Sequence, residues 1–377
     1  MPASSSAEIV RDWISLSLVY GVGPALFYQL VGRFGSPTAV LDGPGLAARE
    51  FGVGSKPGWL AELTEAGRLR QRADRELLAL DKIGARALIR TDPDYPELLR
   101  HIGQPPPVVY LHGDGRLLAM NSVAIVGSRA ATSYGRRVCR TIARALADSG
   151  LCVVSGLASG IDAEAHASAL DTAGATVGVL GCGLDVVYPR ENRHLYERIH
   201  QSGLLISEYP LGTPPEGFRF PARNRIIAGL SRGVVVVEAS KKSGSLITVQ
   251  HALEQGREVW AVPGQVDSVK SAGTHWLVQQ GAALVVSAAD ILSHLAIDQG
   301  VEAAVAKSST VVRRVLEPPH RDLLSIIELY PQPREVLLQQ SGLPAARFNE
   351  ALLMLELEGL VNTAPGDMIY KSTEDRS

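Results

Sequence analysis

The sequence predicts an α/β protein built on a doubly wound, mostly parallel sheet, with a helical region before it and a winged-helix-like region after it. Three observations carry that expectation. Short Val/Leu/Ile runs without strict alternation recur between residues 122 and 286, as strands covered on both faces require. Stretches of helical character separate them, the order that gives parallel strands and crossover helices. Gly/Ser-rich turns fall at 127–129, 155–162, 181–185 and 243–248, where the carboxyl ends of an open sheet would hold ligand-binding loops.

At 377 residues the chain exceeds the usual size of one domain. Residues 1–85 read as a helical domain. Ile14, Leu16, Leu18 and Val19 precede Gly21-Val22-Gly23-Pro24, and Leu26, Leu30 and Val31 follow it. That turn suits a helix-hairpin-helix phosphate site or a plain αα-corner, and a second Gly-Val-Gly at 52–54 hints at a sterile-alpha-motif-like bundle.

Residues 86–295 form the α/β domain. Strands are expected at 122–126, 151–154, 176–180, 204–207, 233–237, 259–262 and 283–286, with 107–111 joining an edge. Helices are expected at 133–149, 161–173, 191–202, 245–255, 274–280 and 289–295. Residues 296–318 lose periodicity and read as a linker. Residues 319–377 offer three helices and a hairpin turning at Pro365-Gly366-Asp367, which is winged-helix order.

Composition narrows the function. The formal net charge is only −2, yet residues 219–242 hold six Lys/Arg against one acid, Glu238, a local balance of +5. Such asymmetry directs a polyanion to one face. The densest part, 219–232, carries Arg219, Arg223, Arg225 and Arg232 with Phe220 and Asn224. Guanidiniums this crowded call for anionic partners. A short apolar helix expected from Ile226 to Leu230 would place Asn224 and Arg225 at an amino terminus that adds backbone donors. Phe220, between Arg219 and Pro221, suits stacking on a base.

The turns supply the complementary groups. Gly127, Ser128 and Arg129 follow the 122–126 strand; Ser155, Gly156 and Gly160 lie in the next turn; Ser243, Gly244, Ser245 and Thr248 open the helix after the 233–237 strand. Glycines let backbone N–H groups approach an anion, and hydroxyls add hydrogen bonds. Asp162 is expected to cap a helix and order its loop. None of these turns is a G-x-G-x-x-G or G-x-x-x-x-G-K-[ST] loop, and Ser159 is not in a G-x-S-x-G elbow. His166 has no H-E-x-x-H partner, so no metal and no cofactor are expected. Cys139, Cys152 and Cys182 lack ligand spacing and read as buried thiols. The amino terminus shows no leader pattern and no run is long enough to span a bilayer, so a soluble, cytoplasmic protein without membrane contact is expected.

Read in order, these turns resemble the DNA-processing protein A (DprA/Smf) family. The likeness is carried by Val123-Ala-Ile-Val-Gly-Ser-Arg129, Ser155–Asp162, Gly181-x-Gly183-x-Asp185-x-x-Tyr188-Pro189, Ser207-Glu208-Tyr209-Pro210, Phe220-Pro221-x-Arg223-Asn224-Arg225 through Ser231, Ser243-Gly244-Ser245 and Gly256 through Gly264. The resemblance covers about 86–295 and implies an extended Rossmann-like domain. It also implies sequence-independent binding of single-stranded DNA and loading of the RecA recombinase in natural transformation, without enzymatic activity. A homodimer is implied as well, for which Trp260, Leu277 and Val278 are interface candidates. It assigns phosphate contacts to Gly127-Ser128-Arg129, Ser155-Gly156 and Ser243-Gly244-Ser245, a base to Phe220, and the shaping or lining of the groove to Arg223 and Arg225. Two departures stand out. Some relatives carry a Lys shortly before the Phe-Pro pair, where this chain offers Arg219; and a Gly-Thr-Asn is Gly-Thr-His here, at His275.

The residues alone leave two rivals open: a nucleotide or nucleoside hydrolase using Asp162 or Glu238, and a small-nucleotide sensor. In the tail, Arg347 against Glu350, Glu356 and Glu358 makes a poor face for duplex phosphates, and protein contact is the better expectation.

Overall fold

The structure is a computed structural model that describes residues 6–44, 58–172, 175–295, 318–328, 330–364 and 366–372. The chain divides into two compact units, 1–299 and 300–377. The second Gly-Val-Gly triplet lies outside the described residues, as does the expected linker apart from Pro318.

The first unit opens with helices α1 (Ser6–Ser17), α2 (Pro24–Phe34), α3 (Pro37–Asp42), α4 (Gly58–Leu63) and α5 (Ala66–Lys82). Gly21, at φ +86°, turns the chain between the first two. Trp13, Phe27, Leu30 and Leu80 are buried in a core that continues into Tyr110, Ile199 and Leu205, so these helices pack directly on the α/β part.

That part runs β1 (Ala85–Ile89), α6 (Glu97–Arg100), β2 (Val108–Gly113), β3 (Ser122–Val126), α7 (Ser133–Asp148), β4 (Cys152–Ser155), α8 (Ile161–Leu170), β5 (Ala175–Leu180), α9 (Arg193–Ser202) and β6 (Leu204–Ser207). It continues with α10 (Arg219–Leu230), β7 (Gly233–Val236), α11 (Ser245–Glu254), β8 (Glu258–Ala261), α12 (Ala272–Gln279), β9 (Ala283–Leu284) and α13 (Ala288–His294). The sheet order is β1-β2-β6-β5-β4-β3-β7-β8-β9, parallel from β6 to β9. Both faces are covered, as expected for apolar runs without alternation. Val123 and Ile125 of β3 point into one core with Cys139 and Ile142, and Ala124 and Val126 into another with Ile226 and Ile227. All three cysteines are free and buried.

Two expectations need correction. The strand near 107–111 is not the edge: β2 pairs antiparallel with β6 on one side and with β1 on the other. The Arg-rich helix does not begin at Ile226 but at Arg219. Pro221 falls in its first turn, where a missing N–H costs no hydrogen bond, so it does not stop the helix. Asn224 and Arg225 are therefore interior, and their N–H groups are not terminal donors.

The second unit contains α14 (Pro318–Ile326), β10 (Gln332–Pro333), α15 (Arg334–Ser341), α16 (Ala345–Leu357), β11 (Val361–Ala364) and β12 (Met368–Lys371). The strands pair in the order β10-β12-β11. Leu337, Phe348, Leu355 and Ile369 close a separate core, completing the expected winged-helix arrangement.

Candidate nucleic-acid interface

Strand order fixes where a ligand can sit. From β3 the chain winds one way through β4, β5 and β6, then returns to the other side of β3 as β7, β8 and β9. The crossovers diverge between β3 and β7 and leave a crevice beyond their carboxyl ends. A cleft of about 630 Å³ occupies that place. Its walls are Gly127, Ser128 and Arg129 after β3, Ser243, Gly244, Ser245 and Thr248 after β7, and Phe220, Arg223 and Asn224 from α10. A smaller cavity of about 50 Å³ shares Arg129, Phe220 and Arg223 and reaches Gly156 and Tyr188.

The turn after β3 is built by close packing. Gly160 has φ +83°, and a Cβ there would strike the carbonyl oxygens of Ser128 and Arg129. The backbone N–H of Ile161 also donates to the Ser128 carbonyl at 3.2 Å. Ser128 is nearly buried, whereas Arg129 is exposed and has no ion-pair partner among the described residues. Its guanidinium lies 5.8 Å from the centre of the Phe220 ring. Phe220 is half-buried and stacks on Tyr188 at 5.2 Å between centroids.

Beneath this surface the turn after β4 is held from inside. Ser155 is fully buried and donates to the Ile125 carbonyl at 2.6 Å, so its hydroxyl faces away from the cleft. Asp162 accepts from the Gly156 N–H at 3.2 Å. It orders its loop as expected, while the cap position belongs to Gly160. Burial pushes its carboxyl up to about 6, against the pull of Arg223 and of the Ala158 and Gly156 N–H groups. Arg223 is 3% exposed and donates to the carbonyls of Gly156 and Val179. Burial lowers this guanidinium to about 10, with Asp162 opposing the shift.

The remaining arginines of the cluster are committed elsewhere. Arg225 is buried in an ion pair with Glu208 at 2.5 Å. Arg219 donates to the Pro214 carbonyl, lies 3.5 Å from a Glu216 oxygen, and sits against the rings of Tyr209 and Phe218. Neither lines the cleft. Across the cleft, the hydroxyls of Ser243 and Ser245 lie 2.8 Å apart at the start of α11, and Thr248 follows one turn later, buried against the wall.

Glu238, an alternative acid on sequence grounds, is buried and accepts from the Thr132 N–H at 2.9 Å and from the Thr132 hydroxyl. That contact pins the start of α7. His275 bonds the Gly264 carbonyl at 3.1 Å and closes the loop after β8. Trp260 is fully buried with its indole N–H donated to His294, Leu277 is 3% exposed, and Val278 packs at the edge of the core. Core packing therefore accounts for the first two.

Two residues on these walls were not singled out by the sequence. Tyr188 stands within the Gly181–Pro189 motif with nothing local to mark its ring, whose partner is 32 residues away. Lys270 reaches the cleft from the loop between β8 and α12, its Nζ 3.2 Å from the Ser128 hydroxyl. No local pattern marks a contact made across 142 residues.

Residues 86–296 match the pattern of the DNA recombination-mediator protein A family, and residues 308–367 that of the DprA winged helix domain. Protein Smf of Synechocystis is 36% identical over 94% of this chain and 96% of its own. The structure of DNA processing protein A from Streptococcus pneumoniae superposes with a TM-score of 0.65 and 35% identity, covering 75% of this chain and 97% of that one. The Helicobacter pylori DNA processing protein A, described for its single-stranded DNA binding mode, gives a TM-score of 0.51 at 31% identity, over 56% of this chain and 95% of that one.

Proposed function

This chain belongs to the DNA recombination-mediator protein A family, and on that premise we propose that it binds single-stranded DNA irrespective of sequence. The observation that carries the reading is the guanidinium of Arg129, without an ion-pair partner among the described residues, exposed above the half-buried ring of Phe220 and next to the Gly127-Ser128 turn. A cation over an aromatic face, flanked by backbone and hydroxyl donors, is the equipment of a strand binder that reads phosphate and ring rather than base edges. Gly127, Ser128, Arg129, Asn224, Ser243, Gly244, Ser245 and Thr248 would meet the backbone, and Phe220 a base. Ser155, Gly156, Gly160, Arg223 and Arg225 shape the walls from behind.

The family's description as a recombination mediator supports delivery of the strand to a recombinase; we propose that this is RecA, in natural transformation and in the cytoplasm, as the sequence resemblance implies. No described helix is long and apolar enough to cross a membrane. A homodimer is supported by Trp276, Leu284 and Val286, apolar and exposed near the β9 edge. Asp162 and Glu238 are committed to ordering turns, which favours binding over catalysis. We propose the division into 1–85, 86–295, 296–318 and 319–377 on the same footing. Gel shifts of poly-dT against duplex and mononucleotide competitors at two salt concentrations test the reading. Preference for poly-dT that weakens with salt is expected; tight mononucleotide binding without affinity for oligomers would contradict it.

A further inference from the structure

Three of the four arginines between 219 and 232 are spent on other work. Arg219 is held by Glu216, the Pro214 carbonyl and two rings, Arg223 by two buried carbonyls, and Arg225 by Glu208. Arg232 bonds the Asn121 side chain at 2.8 Å, beside the start of β3 and so at the opposite end of the sheet from the cleft. The arginine-rich helix therefore presents no free charge to the cleft, and Arg129 is the exposed arginine on its walls.

Lys270 is different. It is half-buried on the cleft wall and has no carboxylate within ion-pair distance among the described residues. One ammonium proton goes to the Ser128 hydroxyl, leaving two donors for an incoming oxygen. The loop that carries it is ordered by its own bonds: Ser268 N–H to the Gln265 carbonyl, Ser271 N–H to the Ser268 carbonyl, and Lys270 N–H to the Ser268 hydroxyl at 3.2 Å. Little ordering entropy is then lost when an anion arrives. Beside it, Val269 lines the same cleft yet is 74% exposed, an apolar side chain facing the space a nucleotide would fill.

Resting on the single-strand reading above, we infer that Lys270 is a second phosphate-contacting cation of the cleft, and that the 264–271 loop forms one of its walls. The ammonium and the Gly127–Arg129 turn grip one stretch of backbone from two sides, a charge-assisted contact strengthened by partial burial.

Fluorescence anisotropy of labelled oligo-dT from 50 to 500 mM salt tests this with the full chain, Lys270→Gln, Lys270→Arg and Arg129→Ala. Each lost phosphate contact lowers the slope of log K against log salt by about 0.7. Lys270→Gln is expected to bind five- to tenfold more weakly at low salt, with a gap to the unmodified protein that narrows about fivefold over a decade of salt. Lys270→Arg should keep the slope, since charge is retained; a purely structural role would leave the slope unmoved in Lys270→Gln. If the unmodified protein binds with a salt-dependent affinity that Arg129→Ala weakens, while Lys270→Gln matches the unmodified slope and affinity, the inference is overturned and the single-strand reading stands. If the unmodified protein shows no salt-dependent affinity for oligo-dT, both fail.

Discussion

Arg129 and Arg225 both lie in family motifs and carry the same charge, yet the geometry predicts opposite consequences for their removal. The Arg225 and Glu208 side chains are 11% and 10% exposed. Truncating Arg225 to Ala leaves a buried carboxylate without its partner, a loss of about 3–5 kcal/mol of stability. Arg129 is exposed and has no ion-pair partner among the described residues, so Arg129→Ala should change stability by no more than about 0.5 kcal/mol. Binding reverses the order. An Arg–phosphate contact is worth about 1.5–3 kcal/mol, roughly 10- to 100-fold in affinity, and its loss takes about 0.7 from the salt slope. Urea denaturation with anisotropy titrations of oligo-dT on both variants separates the two effects. Arg225→Ala should shift the denaturation midpoint and, at temperatures where it stays folded, keep the salt slope. An Arg225→Ala protein of normal stability with a reduced slope would refute the assignment of Arg225 to the interior.

Three further outcomes follow from individual contacts. Phe220→Ala removes a ring and no charge, so oligo-dT affinity should fall by about 1–3 kcal/mol with the salt slope unchanged, which the same titrations measure. Gly160→Ala places a Cβ against the Ser128 and Arg129 carbonyls at φ +83°, and should destabilise the protein by about 2 kcal/mol or more in thermal unfolding while loosening the phosphate turn. Asp162 binds its proton more tightly folded, near 6, than at its ordinary value of 3.8. Its contribution to stability is therefore complete below that ordinary value and lost as pH rises through about 6. Asp162→Asn should flatten the stability profile between those values, and an unchanged profile would count against the buried carboxyl.

Much of the fold is legible because most strands from β3 to β7 are short runs rich in Val, Ile or Leu bounded by turn residues. The run at 122–126 alternates between two cores, so neither face is polar and no strand period is needed to find it. β1 escapes because Ala85–Ile89 follows the amphipathic α5 after only Ile83 and Gly84, too short a break to mark a new element. The start of α10 escapes because Pro221 reads as a stop, whereas in a first turn it is tolerated. The glycine and hydroxyl turns of the site are visible because sheet topology dictates where carboxyl-end loops converge. What each arginine does is not visible. Arg225 finds Glu208 seventeen residues earlier, and Arg223 reaches one carbonyl in the turn after β4 and another on β5. These pairings depend on how α10 lies across the sheet, which no local pattern encodes. Lys270 is hidden for the same reason, since only the adjacency of β3, β7 and β8 brings its loop to Ser128.

The central claim is that a single strand lies in the cleft between the β3 and β7 loops, against Phe220. Photo-crosslinking of 5-iodouracil-substituted oligonucleotides, mapped by peptide mass spectrometry, tests it directly. The account predicts crosslinks on Phe220 or Tyr188, suppressed by excess poly-dT. Crosslinks confined to residues 6–82 or 318–372 would contradict it.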